Sequence, residues 1–186
     1  MTNKEIILQT ALRLFAEYGF DRTPTSQIAR EAGVSEGLIF RHYGSKAGLL
    51  EAIIQHGKSQ VDESMQPYRR GADPREAIEQ HIRESFRLIR ENVPFWRLVH
   101  QLRQQAAVQQ NAESQLEAFK QSVVSQLAVP FQLLGAAQPI EEALLLFAII
   151  DGITVQYVQM PDVYPLESMQ TFLIQKYRHG QFMGQP

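Results

Sequence analysis

The 186 residues are 44% hydrophobic and 20% charged, with no cysteine, a globular composition that argues against disorder. Disulfides, a cysteine nucleophile and thiolate metal sites are excluded, and the reducing cytosol fits. The net charge of −2 excludes a strongly basic chain, and residues 1–50, with six Lys/Arg against five acids, lean only faintly towards a polyanion.

Apolar residues recur at helical spacing along the chain. Leu8, Ala11, Leu12 and Phe15 fall at i, i+3, i+4 and i+7 and predict a first helix, with Thr2 and Glu5 at capping-box spacing and Gly19 as its stop. Thr23-Pro24 reads as the N-cap and first-turn proline of a short second helix ending at Ala32. Gly33-Val34-Ser35 breaks and recaps the chain before a third helix, Glu36 to Tyr43. Ser45 is the cap expected for a long fourth helix reaching about Met65. Pro67 to Pro74 is the most loop-like stretch, and Asp73-Pro74 starts a fifth helix running to about Asn92. Pro94 starts a sixth, Phe95 to about Gln105, and a seventh covers about Ala112 to Leu134 with a bend expected at Pro130. The eighth, Ile140 to Val158, is strongly apolar, and a ninth runs from about Leu166 to Tyr177. No segment alternates with period two. The fold class expected is all-α, with about nine helices.

Membrane and secretory signals are weak. Met1-Thr2-Asn3-Lys4-Glu5 feeds no long apolar stretch, so no signal peptide is expected. The longest apolar run, Ala143 to Ile150, stops at Asp151, far short of the roughly 20 residues that span a bilayer. The expectation is a cytoplasmic protein with no membrane partner.

Residues 25–43 carry the sharpest signal: two short helices joined by a tight turn containing Gly33, the helix-turn-helix description. Ala29 is small where the helices cross, and Gly33 permits a positive φ. Ile28, Ala32, Val34 and Ile39 are expected to form a small core, and Ser35 to cap the third helix. With Ile39 and Tyr43 inward, Gly37, Leu38 and Arg41 lie outward, where a major groove could receive them. The helix start at Thr25 and the ammonium of Lys46 offer partners for phosphates. Helical hairpins with a glycine turn also occur in proteins that never meet DNA.

The run Ile28-Ala29-x-x-Ala32-Gly33-Val34-Ser35-x-Gly37-x-Ile39-Phe40-x-His42-Tyr43-x-Ser45-Lys46-x-x-Leu49-Leu50 resembles the DNA-binding domain of the TetR (tetracycline-repressor-like) family. The match covers about residues 5–50. Asp151-Gly152 in the eighth helix resembles a dipeptide often seen there. The resemblance implies a helix-turn-helix domain over 1–46 and a helical effector-binding and dimerisation domain over 47–186. It implies a homodimeric, one-component regulator, acting as a repressor, that binds a palindromic double-stranded DNA operator and leaves it when a small-molecule effector binds. Phosphate contacts are implied at Thr25, Ser26, His42 and Lys46, and base contacts at Glu36, Gly37, Leu38 and Arg41; Ser35 joins this DNA-binding set as the cap of the recognition helix. Two positions depart from the pattern. Phe40 stands where a Tyr usually offers a hydroxyl to phosphate, and Glu36, often Lys in relatives, repels phosphate unless it accepts from a cytosine amino group.

Each of these residues also has a plainer reading. His42 can pack beside Tyr43, Arg41 can be a solvated surface residue, and Phe40 is expected to pack rather than recognise. Lys46 near a helix start opposes the helix dipole, which favours a functional reading.

An effector cavity needs apolar and aromatic walls with a few polar anchors. Its expected lining starts with Phe86, Phe95, Trp96, Val99, His100 and Arg103. Phe119, Phe147, Asp151 and Tyr157 complete it. Trp96, His100 and Arg103 form one helical column that could meet an anionic or aromatic effector; the alternative is core indole and solvated guanidinium. The eighth helix is apolar nearly all round and must bury two faces. With the ninth (Phe172, Leu173, Tyr177) it is expected to pair with symmetry mates in a four-helix interface, the alternative being burial within one chain. Glutamines dense between Gln101 and Gln132 suggest solvated faces.

No enzymatic activity, cofactor or metal is expected. The histidines at 42, 56, 81, 100 and 179 lack metal-ligand spacing, and there is no phosphate loop or nucleophile elbow. Two rival functions stay open. One is a DNA-binding regulator whose C-terminal domain docks a protein, without a small effector. The other is a helical small-molecule-binding protein whose helix-turn-helix is only architectural.

Overall fold

Every regular element among the described residues is a helix. The computed structural model describes residues 1–64, 73–104 and 110–180, and the all-α expectation holds there. The order is α1 (Asn3–Tyr18), α2 (Thr25–Ala32), α3 (Glu36–Tyr43), α4 (Lys46–Ser64), α5 (Pro74–Glu91), α6 (Val93–Gln104), α7 (Gln110–Leu133), α8 (Pro139–Gln159) and α9 (Leu166–His179). The loop expected over 67–72, the end of α4 at Met65 and the end of α6 at Gln105 lie outside the described residues.

Most helix boundaries follow their sequence signals. Thr2 and Glu5 form a reciprocal capping box on α1, and Gly19 ends it at φ 87°. Ser45 Oγ accepts from the Gly48 N–H at 2.9 Å and caps α4. Asp73 Oδ1 does the same for α5, accepting from the N–H groups of Arg75 and Glu76. Helix α7 continues through Pro130 to Leu133.

Two capping expectations need correction. Thr23 does not cap α2: it is buried, and its hydroxyl donates to the Gly19 carbonyl at 2.8 Å, tying the loop back to the end of α1. Pro24 takes the N-cap position, and α2 begins at Thr25 without a side-chain capping bond. Ser35 stands at the N-cap of α3, but its hydroxyl makes no capping bond.

The chain divides into two compact units. The first comprises Met1–Ser59 and Asn92–Gln115. In it α1 packs against α2, α3 and α6, with Ile7, Leu14, Phe15, Ile28, Ile39 and Leu50 fully buried. Phe15 meets Phe20 edge-to-face, with centroids 5.1 Å apart. Gln101 of α6 donates to the Ala16 carbonyl at 3.0 Å, satisfying an acceptor that the end of α1 leaves over. This glutamine is half-buried, so the solvated face expected from the glutamine-rich stretch does not begin at residue 101.

The second unit comprises Gln60–Glu91 and Leu116–Pro186. Here α5 lies against α9 and α8, around Ile78, Ile82, Phe86, Phe131, Leu146 and Val158. Arg75 Nη1 donates to the carbonyls of Tyr177 and Arg178 at 3.2 and 3.0 Å, capping the end of α9. Glu79 holds Arg83 and Arg178 together, and both guanidinium groups keep its carboxyl below the usual range.

Candidate nucleic-acid interface

The helix-turn-helix is built by a few local choices. Gly33 ends α2 in the left-handed region at φ 68°, and the Val34 N–H reaches back to the Ala29 carbonyl at 3.0 Å, the Schellman closure. That turn directs α3 away from α2. Ile28 and Ile39 bury completely between the helices, each contributing roughly 1.5–3 kcal/mol. Ala32 and Val34, expected in the same small core, are only half-buried.

Further ties orient the pair on α1. Arg13 reaches Glu31 of α2 at 2.5 Å, which raises the guanidinium pKa and lowers that of the carboxyl. Tyr43 Oη, at the end of α3, donates to the Lys4 carbonyl at 2.7 Å, and burial raises its pKa.

The outward face carries the residues singled out in the sequence. Ser26, Ser35, Glu36, Gly37 and Arg41 are exposed, while Thr25, Leu38 and His42 are half-buried. Two of these meet directly: the Thr25 hydroxyl donates to Glu36 Oε1. His42 lies edge-on to Tyr43 with centroids 6.3 Å apart, the contact that its plainer reading named. Phe40 does not pack as expected. It is 45% exposed, because residues 36–43 form only two turns and Ile39 already holds their inward position.

Lys46 occupies a defined spot beside the loop that precedes α2. Its ammonium donates to the Asp21 carbonyl at 3.2 Å and lies 4.5 Å from the Phe20 ring centroid. Burial lowers its pKa, with the Asp21 charge acting the other way.

The effector candidates fall into both units. Phe95, Trp96, Val99, His100 and Arg103 lie on α6 in the first; Phe86, Phe119, Phe147, Asp151 and Tyr157 belong to the second. Phe86, Phe95 and Val99 are buried core. Trp96 and His100 are half-buried and Arg103 is exposed; the remaining four are half-buried. Phe95 meets Trp96 edge-to-face at 5.1 Å, and its ring covers Gly57 of α4.

Two residues that shape this unit were not singled out in the sequence. Gly48 signals itself as a glycine in the first turn of a helix, where alanine would ordinarily serve. Gln101 carries no distinguishing signal among so many glutamines.

Residues 7–53 match the family model described as bacterial regulatory proteins, tetR family, and residues 74–175 match the BetI-type transcriptional repressor C-terminal model.

The chain belongs to the tetR family.

The family is one of bacterial regulatory proteins, and the matched residues 7–53 include the α2–α3 helix-turn-helix. The HTH-type transcriptional regulator BetI of Rhizobium meliloti is 37% identical over 86 residues, 45% of this chain and 42% of that one. The chain spans about a third of the length of the curated relatives it matches. In fold it resembles the fatty acid degradation regulator FadR of Bacillus halodurans (TM-score 0.82, 18% identity, 97% of this chain and 96% of that one). It also resembles FadR of Bacillus subtilis in complex with stearoyl-CoA (TM-score 0.79, 17% identity, 95% and 98%). No helix among the described residues is long and apolar enough to cross a membrane, and no cluster of three or more potential metal ligands occurs among them.

Proposed function

We propose that this tetR-family regulator is a homodimeric, one-component repressor that binds a palindromic operator and is released by a small-molecule effector. The observation that carries the reading is the outward face of α2 and α3. An uncapped helix start at Thr25-Ser26 stands beside a recognition helix whose exposed side holds Glu36, Gly37 and Arg41. Free N–H groups at a helix start suit phosphate, and a short helix presenting small and charged residues suits base edges. In this reading residues 1–46 bind DNA, while 47–186 take the effector and pair with a second copy.

The pairing surface is the outer side of α8 and α9. Ala143, Leu146, Ile150 and Val158 of α8 are buried, whereas Ile140, Leu144 and Leu145 are exposed. On α9 the expected set divides: Leu173 and Tyr177 turn into their own core, and Phe172 is 62% exposed. Phe172 and the outer leucines of α8 are therefore the apolar groups offered to a partner.

That FadR of Bacillus subtilis holds stearoyl-CoA in the same fold supports an effector with a long apolar portion. Helix α4 passes from the first unit into the second. An effector with different affinities for two positions of α4 would move the recognition helices off the spacing of successive major grooves. The test is selection of random duplex DNA on the purified protein at moderate salt. Enrichment of a palindrome with half-sites about one helical turn or more apart supports the reading; an unenriched pool contradicts it.

A further inference from the structure

The family resemblance gives Thr25 and Glu36 separate tasks, phosphate for one and a base for the other. In this chain they form a pair: Thr25 opens α2, Glu36 opens α3, and the Thr25 hydroxyl donates to Glu36 Oε1. A threonine hydroxyl has one proton to donate. While that proton serves Glu36, it cannot serve a phosphate oxygen, which only accepts. Glu36 keeps its second carboxylate oxygen, is exposed, and stands in the first turn of α3, where the helix dipole favours negative charge.

An ionised carboxylate accepts and never donates. The groups in the major groove that can donate to it are the cytosine N4 and adenine N6 amino groups. Adenine sets its amino group beside the N7 acceptor, a pattern that an amide matches and a carboxylate does not. Cytosine presents its amino group with no acceptor of its own on the major-groove edge.

We infer that Glu36 reads the N4 amino group of a cytosine in each half-site, and that Thr25 is a positioning residue that aims the carboxylate. The inference rests on the DNA-binding reading above. Phosphate contacts at the start of α2 then fall to the exposed Ser26 and to the backbone N–H groups that a helix start leaves over.

The experiment starts from the duplex enriched by the wild-type chain. Each base pair is replaced in turn, and Kd is measured by fluorescence anisotropy for wild type, Glu36→Ala, Glu36→Gln, Thr25→Val and Thr25→Ser. One C·G pair per half-site should cost wild type about five-fold or more when replaced. Glu36→Ala should accept all bases at that pair alone, and Glu36→Gln should shift its preference towards adenine. Thr25→Val should weaken the discrimination at that same pair, and Thr25→Ser should restore it.

Unchanged base preferences in both Glu36 variants overturn the inference. So does a Thr25→Val loss spread evenly over all positions with a shallower salt dependence, which is the signature of a lost phosphate contact. A wild-type chain that enriches no sequence defeats the DNA-binding reading itself, and this inference falls with it.

Discussion

A Cβ on Gly48, in the first turn of α4, would lie 2.1 Å from the carbonyl oxygen of Tyr43, the last residue of α3. Backbone meets backbone at that point, so no side-chain rotation can relieve the clash. Gly48→Ala is expected to cost about 2 kcal/mol or more, because the end of the recognition helix must shift. Urea or thermal melting reads this directly, and an unchanged midpoint would contradict it.

Gly37 gives the opposite prediction for stability. No heavy atom lies within 4 Å of the Cβ position there, and the residue sits inside α3. Gly37→Ala should therefore stabilise the fold by about 0.5–1 kcal/mol. The same methyl group would stand on the face proposed to enter the groove, so operator affinity should fall. A higher melting temperature with weaker binding is the expected pair of results; a variant that binds as well as wild type removes Gly37 from the interface.

His81 makes the second unit sensitive to acid. It is buried on α5, near Ser85 Oγ at 3.4 Å, and burial pushes its pKa down to about 4 from 6.5. The folded state holds a neutral imidazole, while the unfolded chain takes up a proton below pH 6.5. Stability is therefore full above that value and declines as the pH falls from about 6.5 towards 4, by about 3 kcal/mol in all. His81→Leu should flatten this part of a pH-stability curve measured by urea melting. An equal slope in wild type and variant would assign the dependence to other groups.

The outer face of α8 supplies a test of assembly. Leu145 is 53% exposed, with Leu144 and Ile140 also outside the core. Leu145→Glu should halve the mass seen by sedimentation and leave the helical content in place, since a charge at the centre of an apolar interface is strongly unfavourable. A variant that still sediments like wild type would move the interface elsewhere.

The helices were legible because period and punctuation agreed: Thr2 with Glu5, Asp73 before Pro74, Gly33 at the turn. Thr23 misled because threonine before proline is a frequent helix start, whereas here the hydroxyl bonds to the α1 carbonyl at Gly19. Local sequence cannot choose between two such partners. Phe40 misled because hydrophobicity suggests burial, but two turns of helix have too little inward surface for both Phe40 and Ile39. The Thr25–Glu36 pair was not visible either, since it depends on how the turn at Gly33 brings two helix starts together. In α9 the spacing identified an apolar stripe without saying which of Phe172, Leu173 and Tyr177 the chain would keep for its own core.

The most direct measurement is the ratio of Kd values for the enriched palindrome and for a scrambled duplex of equal length, taken with the wild-type chain at about 150 mM salt. A sequence-specific regulator should favour the palindrome by about 10³-fold or more. A ratio of about ten or less, with both affinities falling steeply as salt rises, would mean that the α2–α3 face holds DNA only through its phosphates, and would contradict the account.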